Sequence, residues 1–293
     1  MRKLKPISVD ALEFINGVIS STNKKGKEKT DEFHNSCSVI VSKNEHIIKL
    51  YDKNFDGNTL ENLEGEGRLY DDEKKTFKDL YSPDNDKISY LKHYVLSQNG
   101  HYINRCPLCE CDYARTIDHY LPKDDYTLFI VHPRNLIPCC STCNNHKKER
   151  VFDNGRRMYW NCYIDEPIKK RYLKCTIKEL NKEKIDVVFS IDPKNLSDDE
   201  EVLIRNTMDD LKILSRYNEA AFEEIEDIIK KISNNMYPDN SFEKSFIATK
   251  KTVLPININN NWRDVLHETL FNSKLFEEYA KNESKKIVEM IET

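Results

Sequence analysis

The first hundred residues carry apolar side chains at helical spacing, separated by polar connections. Leu12, Ile15, Val18 and Ile19 recur at three- and four-residue intervals behind a serine, which indicates one apolar face of a capped helix. Turn-forming residues and glycines mark the connections. For this region we predict a helix over 8–22, an exposed loop over 21–32, helices over 33–53 and 73–98, and a turn-rich segment over 54–68.

The pattern changes in the middle of the chain and becomes helical again towards its end. Short apolar runs predict strands at TIDHYL (116–121) and LFIV (128–131), followed by the first turns of a helix in CSTCNNHKKER (140–150). Alternating stretches predict two further strands, YLKCTIKEL (172–180) and KIDVVFSID (184–192). From Ser197 the spacing is helical, and the last helix, over 262–290, is expected to break near Asn272 and Ser273.

These elements predict an α+β protein that is predominantly helical, with a small metal-centred module inside it. We expect a helical N-terminal region over 1–99, the module over 100–152, and a C-terminal region over 153–293 that begins with strands and continues with helices.

Composition limits where the protein acts and what it contacts. Of the 293 residues 33% are charged, the net charge is −4, and no apolar run approaches membrane length. The basic N-terminus lacks the apolar stretch of a secretory signal, so we expect a cytoplasmic protein without membrane contact. Because the net charge repels phosphate, any contact with nucleic acid must come from a local basic patch.

Six of the nine cysteines lie between residues 106 and 143. Two Cys-x-x-Cys pairs, Cys106/Cys109 and Cys140/Cys143, offer four thiolates for one tetrahedral zinc ion. Pairings that use Cys111 or Cys139 compete, but they do not produce two regular spacings. A redox role would require a surrounding βαβ pattern that is missing, so we predict structural zinc.

Between the two pairs stands the dipeptide Asp118-His119, and Asn144 directly follows the last cysteine. A carboxylate and an amide oxygen suit a hard divalent ion, and an imidazole can take a proton from water near neutral pH. In a strand, neighbouring side chains face opposite sides, so Asp118 and His119 can share a site only through a twist or a bulge. Taken singly, each of these residues is more often an exposed strand end or a helix cap.

The order of these motifs resembles the zinc-stabilised HNH endonucleases of the ββα-metal superfamily. Their pattern is C-x-x-C, then D-H-x-x-P, then N-L, then C-x-x-C-[NH]-x-x-K, and here it covers about 45 residues. It is matched by Cys106-Pro-Leu-Cys109, Asp118-His119-Tyr-Leu-Pro122, Asn135-Leu136 and Cys140-Ser-Thr-Cys143-Asn144-Asn-His-Lys147.

The resemblance implies a role for each matched residue. His119 is expected to be the general base, Asn135 to orient the histidine strand, and Asp118 and Asn144 to bind one catalytic Mg²⁺ or Mn²⁺ ion. The four cysteines are expected to hold structural Zn²⁺. His146 is a weaker candidate ligand than Asn144, and His101 and His132 are expected to be surface or packing residues. Candidate phosphate contacts are Lys123, Arg134, Lys147, Lys148 and Arg150.

The layout is also similar to bacterial HNH proteins that are encoded beside an ATPase, such as the nuclease subunits of Septu-type anti-phage systems. This implies a DNA-cleaving enzyme with an ATPase partner. Two alternatives stay open: a catalytically silent zinc module that binds nucleic acid or protein, and an HNH nuclease that cleaves RNA such as tRNA. The sequence does not indicate an oligomeric state.

Overall fold

The computed structural model describes residues 1–98, 104–147, 149, 151–181, 184–236, 240–255 and 260–292. The α-helices in these ranges are α1 (Ala11–Ser21), α2 (Lys27–Lys43), α3 (Glu45–Asp56), α4 (Asp71–Lys78), α5 (Asp86–Ser97), α6 (Ser141–His146), α7 (Asp198–Asp210), α8 (Ile213–Met236), α9 (Phe242–Val253), α10 (Trp262–Phe271) and α11 (Lys274–Glu292). The strands are β1 (Thr116–His119), β2 (Leu136–Cys139), β3 (Phe152–Asp153), β4 (Arg156–Arg157), β5 (Leu173–Leu180) and β6 (Ile185–Ile191). They pair as three antiparallel two-stranded sheets, β1–β2, β3–β4 and β5–β6. The expected α+β class, mostly helical, is confirmed.

The first predicted helix is confirmed, but the loop predicted after it is wrong in its second half. Asp10 Oδ1 accepts a hydrogen bond from the Glu13 backbone N–H (2.9 Å), which fixes the start of α1. The chain then turns at Gly26, whose φ of +99° is unfavourable for other residues, and α2 begins at Lys27. Most of residues 27–32 are exposed, so their polarity marks the solvent face of a helix and not a loop.

Each of the next two predicted helices is divided in two. The stretch 33–53 belongs to α2 and α3, which meet at Asn44, where the side-chain Nδ2 donates to the Ile40 carbonyl (2.9 Å). The stretch 73–98 is interrupted between α4 and α5 by a turn that contains Pro83. Asn85 Oδ1 accepts from the Lys87 backbone N–H (3.0 Å) and caps α5.

A short hairpin followed directly by a short helix occupies the middle of the chain. Strand β1 pairs with β2 from Thr116 opposite Cys139 to His119 opposite Leu136, and α6 begins two residues after β2. The predicted strand over 116–121 is confirmed as β1, and the predicted helix as α6. The strand predicted over 128–131 is wrong: these buried residues form the end of a 3₁₀ helix (Thr127–Phe129) and the turn after it, and the partner strand is β2, which contains a proline.

Packing divides the chain into two units, the first comprising Met1–Pro167 with Val202–Leu211. The second comprises Ile168–Glu201 with Lys212–Thr293. In the second unit the hairpin β5–β6 packs against α8, α10 and α11, and both predicted strands are confirmed. The predicted break of the last helix is also confirmed, because α10 ends at Phe271 and α11 begins at Lys274. The three regions predicted from the sequence stay a prediction.

None of the described helices is both long and apolar enough to cross a membrane.

Candidate metal centre and adjoining cleft

Four cysteine side chains converge at the base of α6. The Sγ atoms of Cys106, Cys109, Cys140 and Cys143 all lie within 4.8 Å of one another, and all four residues are buried. The Cys109 and Cys140 sulfurs are 3.8 Å apart, close to the roughly 3.8 Å expected between ligands of a tetrahedral ion with Zn–S bonds of about 2.3 Å. The cluster therefore fits a metal ion such as zinc, as the two regular spacings predicted.

The competing cysteines are not members of this group. Cys139 lies on β2, and its sulfur is 3.6 Å from Thr116 Oγ1 across the hairpin. Cys140 instead caps α6, since its sulfur accepts from the Cys143 backbone N–H (3.3 Å). Metal binding would thus tie the start of α6 to the loop that carries Cys106 and Cys109.

Asp118 is a buried carboxylate on β1, 7% exposed. Its Oδ2 accepts a hydrogen bond from the ammonium group of Lys147 (2.6 Å), and that group also donates to the carbonyls of His119 (2.7 Å) and Tyr120 (2.8 Å). No described residue donates to Oδ1 of Asp118, so this oxygen remains for another ligand. Lys147 was predicted as a phosphate contact. In the structure its ammonium group donates hydrogen bonds to Asp118 and to the end of β1.

His119 is the last residue of β1 and keeps part of its ring exposed. Its Nε2 lies 2.9 Å from the Ile130 carbonyl, which can only accept, so Nε2 carries the proton and Nδ1 holds the lone pair. The ring packs against the edge of Tyr81, with centroids 4.4 Å apart. Burial, and to a lesser degree the charge of Lys147, lowers the pKa of His119 to about 3. The imidazole is therefore neutral near pH 7.

Asn135 is fully buried and connects β1 with the loop that precedes β2. Its Oδ1 accepts from the Leu121 backbone N–H (2.7 Å), and its Nδ2 donates to the carbonyls of Leu121 (3.1 Å) and Phe129 (3.0 Å). The Tyr51 hydroxyl also donates to Oδ1 (3.3 Å). These bonds hold the chain immediately after His119 and the segment that supplies the Ile130 acceptor.

Asp118, His119 and Asn144 line one cleft of about 400 Å³. No bulge interrupts the pairing of β1 and β2, and His119 stands at the strand end, where the chain leaves the sheet. Asn144 Nδ2 donates to the Ile117 carbonyl (3.2 Å), which leaves its amide oxygen available. The charged side chains that the structure describes along the cleft are Arg115, Lys123 and Lys147, and Asp118, Asp124 and Glu149.

The other predicted contacts differ in their surroundings. Lys123 is exposed at the cleft, whereas Arg134 is paired with Asp52 (3.2 Å) and Asp56 (2.7 Å). His146 bonds to the Thr142 carbonyl of its own helix (2.9 Å) and is not among the residues that line the cleft. The predictions for His101, Lys148 and Arg150 fall outside the described residues.

Sequence reasoning missed two neighbours of this site. Arg115 lines the cleft just before β1, and Tyr81 packs on His119 from the turn between α4 and α5. No spacing links Tyr81 to the motif, since it lies about 40 residues upstream. Arg115 is one of the basic residues around the cysteine cluster, and this local charge was the signal for it.

These features define a protein with a four-cysteine metal-binding cluster beside a cleft that contains a carboxylate, a neutral imidazole and an amide. No known family profile matches the chain, and no solved structure matches it.

Two curated proteins are similar to parts of the chain. The Septu protein PtuB of Bacillus thuringiensis is 32% identical over 83 residues, which span 27% of this chain and 30% of PtuB. Protein ea31 of Escherichia phage lambda is 27% identical over 187 residues, which span 59% of this chain and 63% of ea31. The chain therefore matches less than two thirds of the length of each relative. An 83-residue segment of the chain is therefore similar to a Septu protein.

Proposed function

We propose that the chain is a metal-dependent HNH endonuclease that hydrolyses phosphodiester bonds in DNA. The observation that carries this proposal is that Asp118, His119 and Asn144 line one cleft on a strand pair and a helix. These three residues come from the motif positions that the resemblance to HNH endonucleases marks as functional. The four-cysteine cluster at the start of α6 supports it, because zinc there would fix the helix that carries Asn144.

The chemistry of the cleft fits a hard divalent cation. Asp118 Oδ1 and the Asn144 amide oxygen accept no hydrogen bond from a described residue, and oxygen atoms are the ligands that Mg²⁺ and Mn²⁺ prefer. The same carboxylate already attracts one cation, the Lys147 ammonium. Asp118 and Asn144 would hold the ion, which when bound supplies charge stabilisation to a phosphate and to the departing oxygen.

His119 would act as the general base. Its Nδ1 is unprotonated near neutral pH and bonds to no described residue, so it can accept a proton from a water molecule. The hydrogen bond from Nε2 to the Ile130 carbonyl fixes the tautomer and the ring orientation. The water gives one proton to Nδ1, its oxygen forms the new bond to phosphorus, and the bond from phosphorus to the 3′-oxygen breaks. The 3′-oxygen takes a proton from solvent, so the products are a 3′-hydroxyl end and a 5′-phosphate end.

Asn135 would act by positioning and not by contact with the substrate. It is fully buried, and its hydrogen bonds hold Leu121, two residues after His119, and Phe129, the residue before the Ile130 acceptor. Lys123, exposed at the cleft, is the clearest of the predicted phosphate contacts, and electrostatic attraction of this kind positions a strand without reading its sequence.

We infer further that the biological role is anti-phage defence together with an ATPase partner. Support comes from the similarity of an 83-residue segment to a Septu protein and from the nuclease-like cleft. Genes that adjoin the coding sequence provide the simplest check, and a neighbouring ATPase gene is expected.

The catalytic proposal is tested with the purified full-length chain, supercoiled plasmid and MgCl₂ or MnCl₂. Wild-type protein should nick the plasmid, and His119→Ala should reduce the rate by about 100-fold or more, as removal of a general base does. His46→Ala, which changes an exposed histidine on α3, serves as the matched control and should cut normally.

A parallel reaction with total RNA shows whether the substrate is DNA or RNA. Faster cleavage of RNA than of plasmid would replace DNA by RNA in the proposal. Equal activity of wild type and His119→Ala would exclude the mechanism. Absence of cleavage of either substrate, with zinc bound, would favour a silent zinc module.

A further inference from the structure

An exposed tyrosine lies beside two arginine side chains at the edge of the four-cysteine loop. Tyr113 is 48% exposed, and the guanidinium carbons of Arg105 and Arg115 lie 4.7 and 5.7 Å from the centre of its ring. Distances of this kind are typical of cation–π contacts. An aromatic ring with arginines close to it offers stacking surface and positive charge in one place.

The backbone around this group is held by the cysteine loop. Arg105 and Tyr113 form an antiparallel bridge, the Cys106 N–H donates to the Asp112 carbonyl (2.7 Å), and the Ala114 N–H donates to the Asn104 carbonyl (2.6 Å). Because Cys106 belongs to the four-cysteine cluster, metal bound there would hold the backbone of Arg105 and Tyr113 in place.

The two arginines of the group have no ion pair with an acidic side chain in the described part of the chain. Arg105 donates to the neutral carbonyl of Cys111. Lys92 adds a third cation, since its ammonium group donates to the Arg115 carbonyl (3.3 Å). The nearest acid in sequence, Asp112, accepts a hydrogen bond from Thr142 (3.4 Å).

The group is continuous with the candidate active cleft. Arg115 and Thr116 line the same cleft as Asp118 and His119. Arg115 also lies 5.7 Å from the centre of the Tyr113 ring, so its guanidinium connects the cleft with the exposed ring. Backbone spacing supports this, because Tyr113 precedes β1 by only three residues.

We propose that Tyr113, with Arg105 and Arg115, binds an unpaired nucleotide of the strand that occupies the cleft. Bases stack on aromatic rings and on guanidinium planes, and arginines also pair with phosphate. A base inside a duplex presents no free face, so the group favours single-stranded segments or frayed ends over intact duplex. This proposal rests on the proposed function for its orientation relative to His119.

The test measures binding apart from cleavage. Full-length His119→Ala protein, with its zinc content verified, is titrated into 5′-fluorescein 20-mers by fluorescence anisotropy: single-stranded DNA, single-stranded RNA and blunt duplex DNA. We expect tighter binding to the single strands. Adding Tyr113→Ala should weaken single-strand affinity about tenfold, within the range for loss of one base–aromatic stack, and change duplex affinity little.

Matched variants separate stacking from general damage. Tyr113→Phe should bind as the parent does, because the ring is retained. Tyr70→Ala removes another exposed tyrosine of the same unit and should have no effect. Arg115→Gln should weaken binding and make the salt dependence on single strands shallower by about 0.7 in log–log slope, the value for one phosphate contact.

Particular outcomes would overturn the proposal. Unchanged single-strand affinity of Tyr113→Ala, or equal losses on single strand and duplex, would show that the ring does not stack on a base. Plasmid nicking by wild type together with such a result would leave the nuclease proposal standing. Loss of single-strand affinity in Tyr113→Ala without any cleavage by wild type would support the binding site and reject the nuclease. Tighter binding of RNA than of DNA would assign the stack to RNA.

Discussion

The ammonium group of Lys147 lies 2.6 Å from Oδ2 of Asp118, and it is almost completely enclosed, with its side chain 6% exposed. Its two other hydrogen bonds go to the carbonyls of His119 and Tyr120. A single residue beyond the C-terminus of α6 therefore secures both the carboxylate and the end of β1.

Replacement of Lys147 by methionine should destabilise the protein in a way that a cation reverses. The Asp118 carboxylate would remain buried without its partner, and breaking a buried pair costs about 3 kcal/mol or more. We expect a lower melting temperature for Lys147→Met than for wild type, and a larger rise on addition of MnCl₂, measured by circular dichroism. Lys123→Met changes an exposed lysine and should melt as wild type does. Equal responses of both variants to MnCl₂ would contradict this role for Lys147.

We expect zinc to be required for the folding of the first unit and not for that of the second. The purified chain should contain about one zinc ion per molecule by atomic emission, and Cys140→Ser should lose both the ion and the folded signal of the hairpin. Cys175→Ala, outside the cluster, is the matched control and should keep the full zinc content. A Cys140→Ser protein with normal zinc and normal stability would refute the four-cysteine site.

Asn135→Ala should lower the stability of the protein and also disturb the geometry of the cleft. Loss of the side chain leaves the buried N–H and C=O of Leu121 without partners, at a cost of about 3 kcal/mol in the free energy of unfolding. Tyr51→Phe removes one long hydrogen bond of 3.3 Å to the same amide and should cost about 1 kcal/mol or less. Urea unfolding of both variants measures the difference, and similar costs would argue against the central role of Asn135.

Mild acid should destabilise the first unit through His132. This histidine is fully buried against Tyr51, with Asp52 3.7 Å from Nε2 and the Arg134 N–H donating to Nδ1 (3.3 Å). Burial, aided by the charge of Arg134, lowers its pKa to about 3 from an ordinary value near 6.5. Between these values the unfolded chain binds a proton that the folded chain does not, so stability is complete above pH 6.5 and falls as pH decreases towards 3.

The pH effect can be isolated with His132→Phe, which keeps a ring at this position and removes the titration. From pH 7 to pH 4.5 the free energy of unfolding of wild type should decrease faster than that of the variant, by up to about 1.4 kcal/mol per pH unit. Urea unfolding at several pH values measures the two slopes. Parallel curves would show that His132 does not titrate on unfolding.

The elements that could be predicted are those with one buried face, because that face alone sets the spacing of their apolar residues. Hairpin β5–β6 and helices α10 and α11 follow from alternating or helical spacing at a half-buried surface. The apolar run 128–131 misled the prediction because it is buried on all sides, which removes any periodicity. The true partner strand of β1 contains Pro138, a residue that ordinarily argues against a strand.

Sequence reasoning grouped residues that the fold brings together, but it did not foresee the contacts that they make. Spacing alone selected the four cysteines whose sulfurs the fold brings together, and motif order selected Asp118, His119 and Asn144, which share one cleft. The direction of a long flexible side chain cannot be inferred from spacing, so the hydrogen bonds of Lys147 to Asp118 and to the end of β1 were not foreseen, and its phosphate contact stays a prediction. The contact of Tyr81 with His119 depends on tertiary packing between distant segments.

The balance of charges along the cleft links the binding of nucleic acid to the binding of a divalent ion. Among the described residues, three cationic and three acidic side chains line it, while His119 is neutral near pH 7, and the whole chain carries a net charge of −4. Without a divalent ion such a cleft offers a polyanion little attraction. A bound ion and a bound strand would therefore each increase the affinity of the cleft for the other by the same factor. Cellular divalent cation would act as a co-ligand of nucleic acid, and loading would be cooperative.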